Sequence, residues 1–143
     1  MGCTTTTAML TIHNMATWMV SSYASVAAKA TYGAKLTSGE LLASYCLTEP
    51  NAGSDAASLT TKAVNTGTEY VITGNKIFIS GAGETDILVV MARTGEAGAK
   101  GVSALVVDAT TAGISFGRKE HKMGWNAQPT RAINFDQVRV PLN

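Results

Sequence analysis

Two hydrophobic periodicities divide the chain near residue 38. Before that point Ala8, Met9, Ile12, Met15, Ala16, Met19, Val20, Tyr23 and Val26 recur at intervals of three or four. This is the spacing of a helix, with an apolar face broad enough to be buried on more than one side. Thr4 to Thr7 supply its expected N-cap and Tyr32-Gly33 its expected stop, and a further helical turn or a loop covers Lys35 to Glu40.

From residue 42 the pattern is strand and turn. Leu42 to Leu47 is an apolar run that ends at the loop signal Thr48-Glu49-Pro50-Asn51-Ala52-Gly53. Tyr70 to Thr73 and Lys76 to Ser80 flank Gly74-Asn75, a pair that tolerates the positive φ of a tight turn, so a β-hairpin is predicted there. Further strands are expected over Ile87 to Arg93, Val102 to Asp108, Ile114 to Arg118 and Arg131 to Val138. Short strands with no intervening helices predict an antiparallel barrel or sandwich. The fold class read from the pattern is mainly β with an N-terminal helical segment.

Composition narrows the function classes. With 143 residues, 45% hydrophobic and 15% charged, the chain has the make-up of one globular domain. A formal charge of +1 without a Lys/Arg run gives no footprint for nucleic acid. The two cysteines, Cys3 and Cys46, form no disulfide framework and show no metal-ligand spacing. No apolar run is long enough to span a bilayer as a helix, and no basic-then-apolar leader pattern opens the sequence.

Three stretches are candidates for chemistry. Tyr45 to Asp55 combines small residues, backbone donors and hydroxyls, which suits a loop that approaches a polar ligand closely; its plainer reading is a turn in which Asp55 caps a short helix. Phe78-Ile79-Ser80-Gly81-Ala82-Gly83 is a strand ending in small residues. It lacks the third glycine and the following helix of a dinucleotide fingerprint. Met123 to Arg131 is a polar loop whose Gln128 and Thr130 either line a pocket or, by default, sit in a surface turn. His13 in the apolar helix reads as a hydrogen-bonded core histidine and His121 as a solvated one. No catalytic residue set and no metal site can be assembled from these positions.

Taken in order, the motifs resemble those of the acyl-CoA dehydrogenases. The resemblance rests on Tyr45-Cys46-Leu47-Thr48-Glu49-Pro50 with Ala52-Gly53-Ser54-Asp55, then Thr73-Gly74-Asn75-Lys76 and Phe78-Ile79-Ser80. Lys122-Met123-Gly124 and Phe135 to Pro141 complete it. Within that family Ile79 to Glu84, Gly124 to Arg131 and Ile12 to Met15 look most like the branch acting on isobutyryl-CoA, a short branched thioester of valine breakdown. The resemblance implies that residues 1–40 are the end of an N-terminal helical domain and 41–143 the middle β domain.

It also implies FAD as cofactor. Tyr45, Cys46, Leu47, Thr48, Glu49, Pro50, Asn51, Ala52, Gly53 and Ser54 would wrap it, with Leu47 and Thr48 addressing the pyrimidine edge. Phe78, Ile79 and Ser80 would face another edge of the ring, and Ser54 would also contact the acyl-CoA substrate. Electron-transferring flavoprotein is the implied electron acceptor and a homotetramer the implied assembly. The implied compartment is the mitochondrial matrix in a eukaryote and the cytoplasm in a bacterium. Asn51 departs from the glycine common in related loops, and Asn tolerates the left-handed backbone such a turn needs. The similarity stops at Asn143, where the family's C-terminal helical bundle and its catalytic glutamate would begin, so the chain as read is expected to be inactive. Two other readings share these residues: a non-catalytic β domain that binds CoA-type ligands or protein partners, and a fragment of an acyl-CoA oxidase.

Overall fold

The computed structural model describes Gly2 to Leu142; Met1 and Asn143, the outer bounds of the two expected segments, lie outside the described residues. Two helices, α1 (Thr4–Tyr23) and α2 (Val26–Ser38), precede seven strands. These are β1 (Ala43–Cys46), β2 (Lys62–Asn65), β3 (Glu69–Ser80), β4 (Ile87–Arg93), β5 (Val102–Asp108), β6 (Ile114–Phe116) and β7 (Thr130–Pro141). Short 3-10 turns at Ala56–Ser58 and Ala99–Gly101 interrupt the loops.

The helices differ from expectation at both ends. Cys3 takes the N-cap position, and Thr4 to Thr7 lie inside the first turns. The Thr7 hydroxyl donates back to the Cys3 carbonyl at 3.0 Å, the competing local bond a threonine makes within a helix. The predicted stop at Tyr32-Gly33 does not occur. The break falls earlier, at Ala24 and Ser25, where the Ser25 hydroxyl accepts from the Ala28 amide at 3.1 Å and caps α2. Gly39, at φ 76°, ends that helix in the left-handed conformation a glycine adopts without strain.

The strands form one curled sheet ordered β1-β4-β2-β3-β7-β6, with β5 paired to β4. Its strand-rich character is the one expected, but the sheet is mixed. β1 runs parallel to β4 from Ala43↔Ile87 to Cys46↔Val90, and β2 meets β4 in parallel at Lys62↔Arg93. β4 is buried on both faces, which explains its unbroken apolar run. Ile87 and Val89 pack against Ala16, Val20 and Leu36 of the helices. Leu88, Val90 and Ala92 face the sheet's own core with Ile72, Ile133 and Phe135.

The predicted hairpin at Gly74-Asn75 is absent. β3 continues through these residues as a single strand paired with β7. Gly74, at φ 151°, serves a close approach: a Cβ there would stand 2.6 Å from Thr61 Oγ1 and 2.7 Å from Thr61 Cα. Two opposed bulges curl the β3–β7 ladder. β7 carries one extra residue between Ile72↔Val138 and Gly74↔Phe135, and β3 one between Lys76↔Ile133 and Ile79↔Arg131. Gln137 (φ 52°) and Phe78 (φ 56°) sit at these two bulges. Gly74→Ala is expected to cost about 1–3 kcal/mol of overpacking. A thermal melt indistinguishable from wild type would show that Thr61 does not press on this position.

Candidate functional site

β1 is paired with β4 on one side, and its other edge bonds to a side chain. The Ala43 amide on that edge donates to His13 Nδ1 at 3.1 Å, so the ring proton is on Nε2, which donates to the Leu36 carbonyl at 3.0 Å. His13 thus ties α1, the end of α2 and β1 together, in keeping with a hydrogen-bonded core histidine. The loop that follows closes on itself through Glu49 N–H to Ala52 O (3.0 Å) and Ala52 N–H to Glu49 O (3.2 Å). Its carbonyls are held from behind by β3: Lys76 Nζ donates to Leu47 O at 3.0 Å, and Ile77 N–H to Thr48 O at 2.9 Å. Among the described residues no backbone carbonyl accepts the Leu47 or Thr48 amide.

A buried ion pair anchors this loop. Lys76 Nζ lies 2.8 Å from Glu49 Oε1, with side-chain exposures of 0% and 3%. Glu49 also accepts from Thr60 N–H (2.7 Å), Thr60 Oγ1 (2.8 Å) and Thr61 N–H (2.9 Å). Burial alone would raise the Glu49 pKa; the bonds from Lys76, Thr61 and Thr60 overcome it and hold the carboxyl at about 2. Burial pushes the Lys76 pKa down against the opposing pull of Glu49.

The acid window therefore belongs to Glu49. Its carboxyl stabilises the fold above the unfolded-state pKa, and that stability drains away as pH falls from about 4.5 towards about 2. The loss expected from this group amounts to about 3 kcal/mol. Urea denaturation at pH 5 and pH 3 should capture about 2 kcal/mol of it, and Glu49→Gln should flatten the difference. An unchanged acid dependence in that variant would remove Glu49 from the account.

At the end of β3 the chain turns into the same region. Phe78 is 62% exposed despite its size, and its left-handed backbone is a strained state for an aromatic residue. Ser44 Oγ donates to the Ser80 carbonyl at 2.7 Å and accepts from Thr85 Oγ1 at 2.7 Å, fixing β3 beside β1. Residues 45–54 and 78–80 are thus brought together by Lys76, Ile77 and Ser44.

Their side chains do not all reach one surface. Tyr45, Leu47, Thr48 and Ser80 are half-buried, while Pro50, Asn51, Gly53, Ser54 and Phe78 are exposed. Cys46, Glu49, Ala52 and Ile79 point inward, so a ligand could meet only their backbone. Burial pushes the Cys46 thiol up to about 12, which makes it an inert core group. Asp55 stands at the start of the 3-10 turn as expected, yet its side chain makes no capping bond. In the 123–131 loop Met123 and Trp125 are exposed, whereas Gln128 and Thr130 are buried, against the default of a surface turn. Gln128 lines a cleft of about 380 Å³ with Met9, His13 and Thr85.

Several positioning residues escaped the sequence reading. Lys76 was taken as the first residue of a second hairpin arm; in a continuous strand its inward parity would have exposed it as a buried charge. Arg93 was read as the end of a strand. Its guanidinium donates to the carbonyls of Ala57 (2.7 Å), Glu96 (2.7 Å) and Gly98 (2.9 Å), joining the far stem of the candidate loop to the β4–β5 connection.

The edge strand, the pinned loop and the strained aromatic beside it lie within the part of the chain that matches the acyl-CoA dehydrogenases. The chain belongs to that family: the signature described as acyl-CoA dehydrogenase, middle domain, covers residues 44–138. Among curated relatives it is 51% identical over 141 residues to the mitochondrial isobutyryl-CoA dehydrogenase of Bos taurus, spanning 99% of this chain and 34% of that protein. A crystal structure of a probable acyl-CoA dehydrogenase from Mycobacterium abscessus superposes with a TM-score of 0.92 at 38% identity, over 98% of this chain and 37% of that one. The FAD complex of PigA superposes with a TM-score of 0.91 at 29% identity, over 96% of this chain and 36% of that one. The chain thus spans about a third of the length of the relatives it matches.

Proposed function

We propose that residues 45–54 and 78–80 form one wall of a flavin pocket in an FAD-dependent acyl-CoA dehydrogenase acting on a short branched substrate, isobutyryl-CoA, in valine breakdown. The observation that carries this reading is that among the described residues no backbone carbonyl accepts the Leu47 or Thr48 amide, while β3 holds the carbonyls of the same two residues. Such donors, with the Thr48 hydroxyl, suit the acceptor-rich pyrimidine edge of a flavin and would stabilise negative charge gathering there. Phe78 would wall the ring and Ser80 would offer a hydroxyl at its far side. Bound FAD would supply the hydride acceptor for α,β-dehydrogenation of the thioester.

Ser54, exposed on the same loop, is assigned to the acyl-CoA. The proton-abstracting carboxylate is assigned outside these residues. Glu49 is unsuited to that role because both its oxygens are committed to Lys76, Thr60 and Thr61. On this reading the chain alone does not turn over substrate, and electron-transferring flavoprotein and a homotetramer belong to the longer protein.

A segment exchange tests this. This chain replaces the matching segment of the bovine isobutyryl-CoA dehydrogenase, and the chimera is expected to purify yellow and to oxidise isobutyryl-CoA. Thr48→Ala within it should weaken FAD by about tenfold, the value of one hydrogen bond to a charged or polarised acceptor. A folded but colourless chimera would overturn the flavin assignment. Preference for a straight-chain thioester would overturn the substrate.

A further inference from the structure

Lys76 is the one ammonium in the site that touches no solvent, at 0% side-chain exposure, and its two bonds divide between charge and backbone. One goes to Glu49 Oε1, the other to the Leu47 carbonyl at 3.0 Å. That carbonyl shares a peptide plane with the Thr48 N–H. No peptide bond of the described chain is cis, so the two groups point in opposite directions. Drawing the Leu47 oxygen towards β3 therefore turns the Thr48 N–H away from it, and among the described residues no backbone carbonyl accepts that N–H. A cation on the oxygen also withdraws electron density from the amide and strengthens its N–H as a donor, as in any chain of hydrogen bonds inside a low-dielectric region.

We propose that Lys76 is a positioning residue that acts through the Leu47–Thr48 peptide, pointing and polarising the Thr48 N–H as a donor for the electron-rich edge of a ligand; this deepens the flavin reading above and rests on it. The second carbonyl of the loop is held by an ordinary amide, Ile77 N–H at 2.9 Å, and the Glu49 N–H that follows it is consumed by Ala52 O. Thr48 is thus the amide in this turn that is both activated and free. Glu49 keeps the cation in place: without it the ammonium would have the Leu47 carbonyl as its remaining partner at zero exposure. The donor is strongest where charge is greatest, so the device favours a reduced, anionic flavin over an oxidised one.

The test compares the ¹⁵N-labelled chain with Lys76→Met, in which Glu49 retains its three bonds to Thr60 and Thr61. Lys76→Met/Glu49→Gln serves if the single variant does not fold. Without ligand, the Thr48 amide nitrogen should move upfield in the variant by more than those of Glu49 and Ala52, whose mutual bonds do not involve Lys76. A Thr48 nitrogen that stays in place in a folded variant would overturn the inference, with or without flavin. Titration with FAD, oxidised and dithionite-reduced, gives the second readout. The variant should lose about tenfold more affinity for the reduced form than for the oxidised one, whereas a residue that only holds the loop together would weaken both equally. If the wild-type chimera described above binds neither form, the flavin reading fails while the nitrogen shift in the chain still decides the role of Lys76.

Discussion

Glu49→Ala is expected to remove about 3–5 kcal/mol of stability at pH 7, the usual cost of stripping the partner from a buried charge. The Lys76 ammonium would be left at 0% exposure, held by the Leu47 carbonyl alone. The amides of Thr60 and Thr61 would lose their acceptor in the same step. A domain of this size is stable by about 5–15 kcal/mol in all, so the loss is a large fraction of the whole. Lys76→Met should cost less, because Glu49 keeps three donors. Urea midpoints measured at one pH give both values. Equal stability of Glu49→Ala and wild type would mean that the pair is not formed in solution.

Phe135→Ala is the second large effect, expected at about 3–5 kcal/mol for a cavity in a packed core. Phe135 is 1% exposed and pairs with Gly74 on one side and Ile114 on the other, next to the bulge at Gln137. It shares the sheet core with Cys46 and Ile79 but takes no part in the Lys76–Glu49 pair, so the variant serves as a contrast. It should lower the urea midpoint as far as Glu49→Ala does, yet keep the acid dependence that Glu49 confers. A loss of under about 1 kcal/mol would place Phe135 outside the cooperative core.

Much of the fold was legible because β4, β5 and β7 are long apolar or alternating runs, and period-two patterning reports burial directly. What failed were the decisions that rest on tertiary contact. Gly74-Asn75 has the composition of a tight turn, but the glycine is required by Thr61, fourteen residues from Asn75 and brought alongside by the sheet. β2 was missed because its burial is confined to Ala63, too little apolar signal for a strand. The helix stop was placed at Gly33 because glycine lowers helix propensity, yet Ser25 made the stronger local statement by capping α2.

The site divides in the same way. The loop at 45–54 and the strand end at 78–80 were both legible as candidate segments, since small residues and hydroxyls at a strand terminus are visible in one dimension. Their union was implied by the family resemblance alone, and its physical basis was not legible. It depends on Lys76, on Ser44 reaching the Ser80 carbonyl and on Arg93 gathering four carbonyls of two loops. These residues act through backbone oxygens, which carry no sequence signal. Glu49 and Cys46 illustrate the reverse: both lie in the motif, and both turn their side chains away from any ligand.

The most direct test of the flavin wall is an amide footprint. ¹⁵N–¹H spectra of the chain recorded with increasing FAD should show the strongest perturbations at Leu47, Thr48, Gly53, Ser54, Phe78 and Ser80, with those of β5 and β6 unmoved. Perturbations confined to the cleft lined by His13 and Gln128, or spread evenly over the chain, would contradict the assignment.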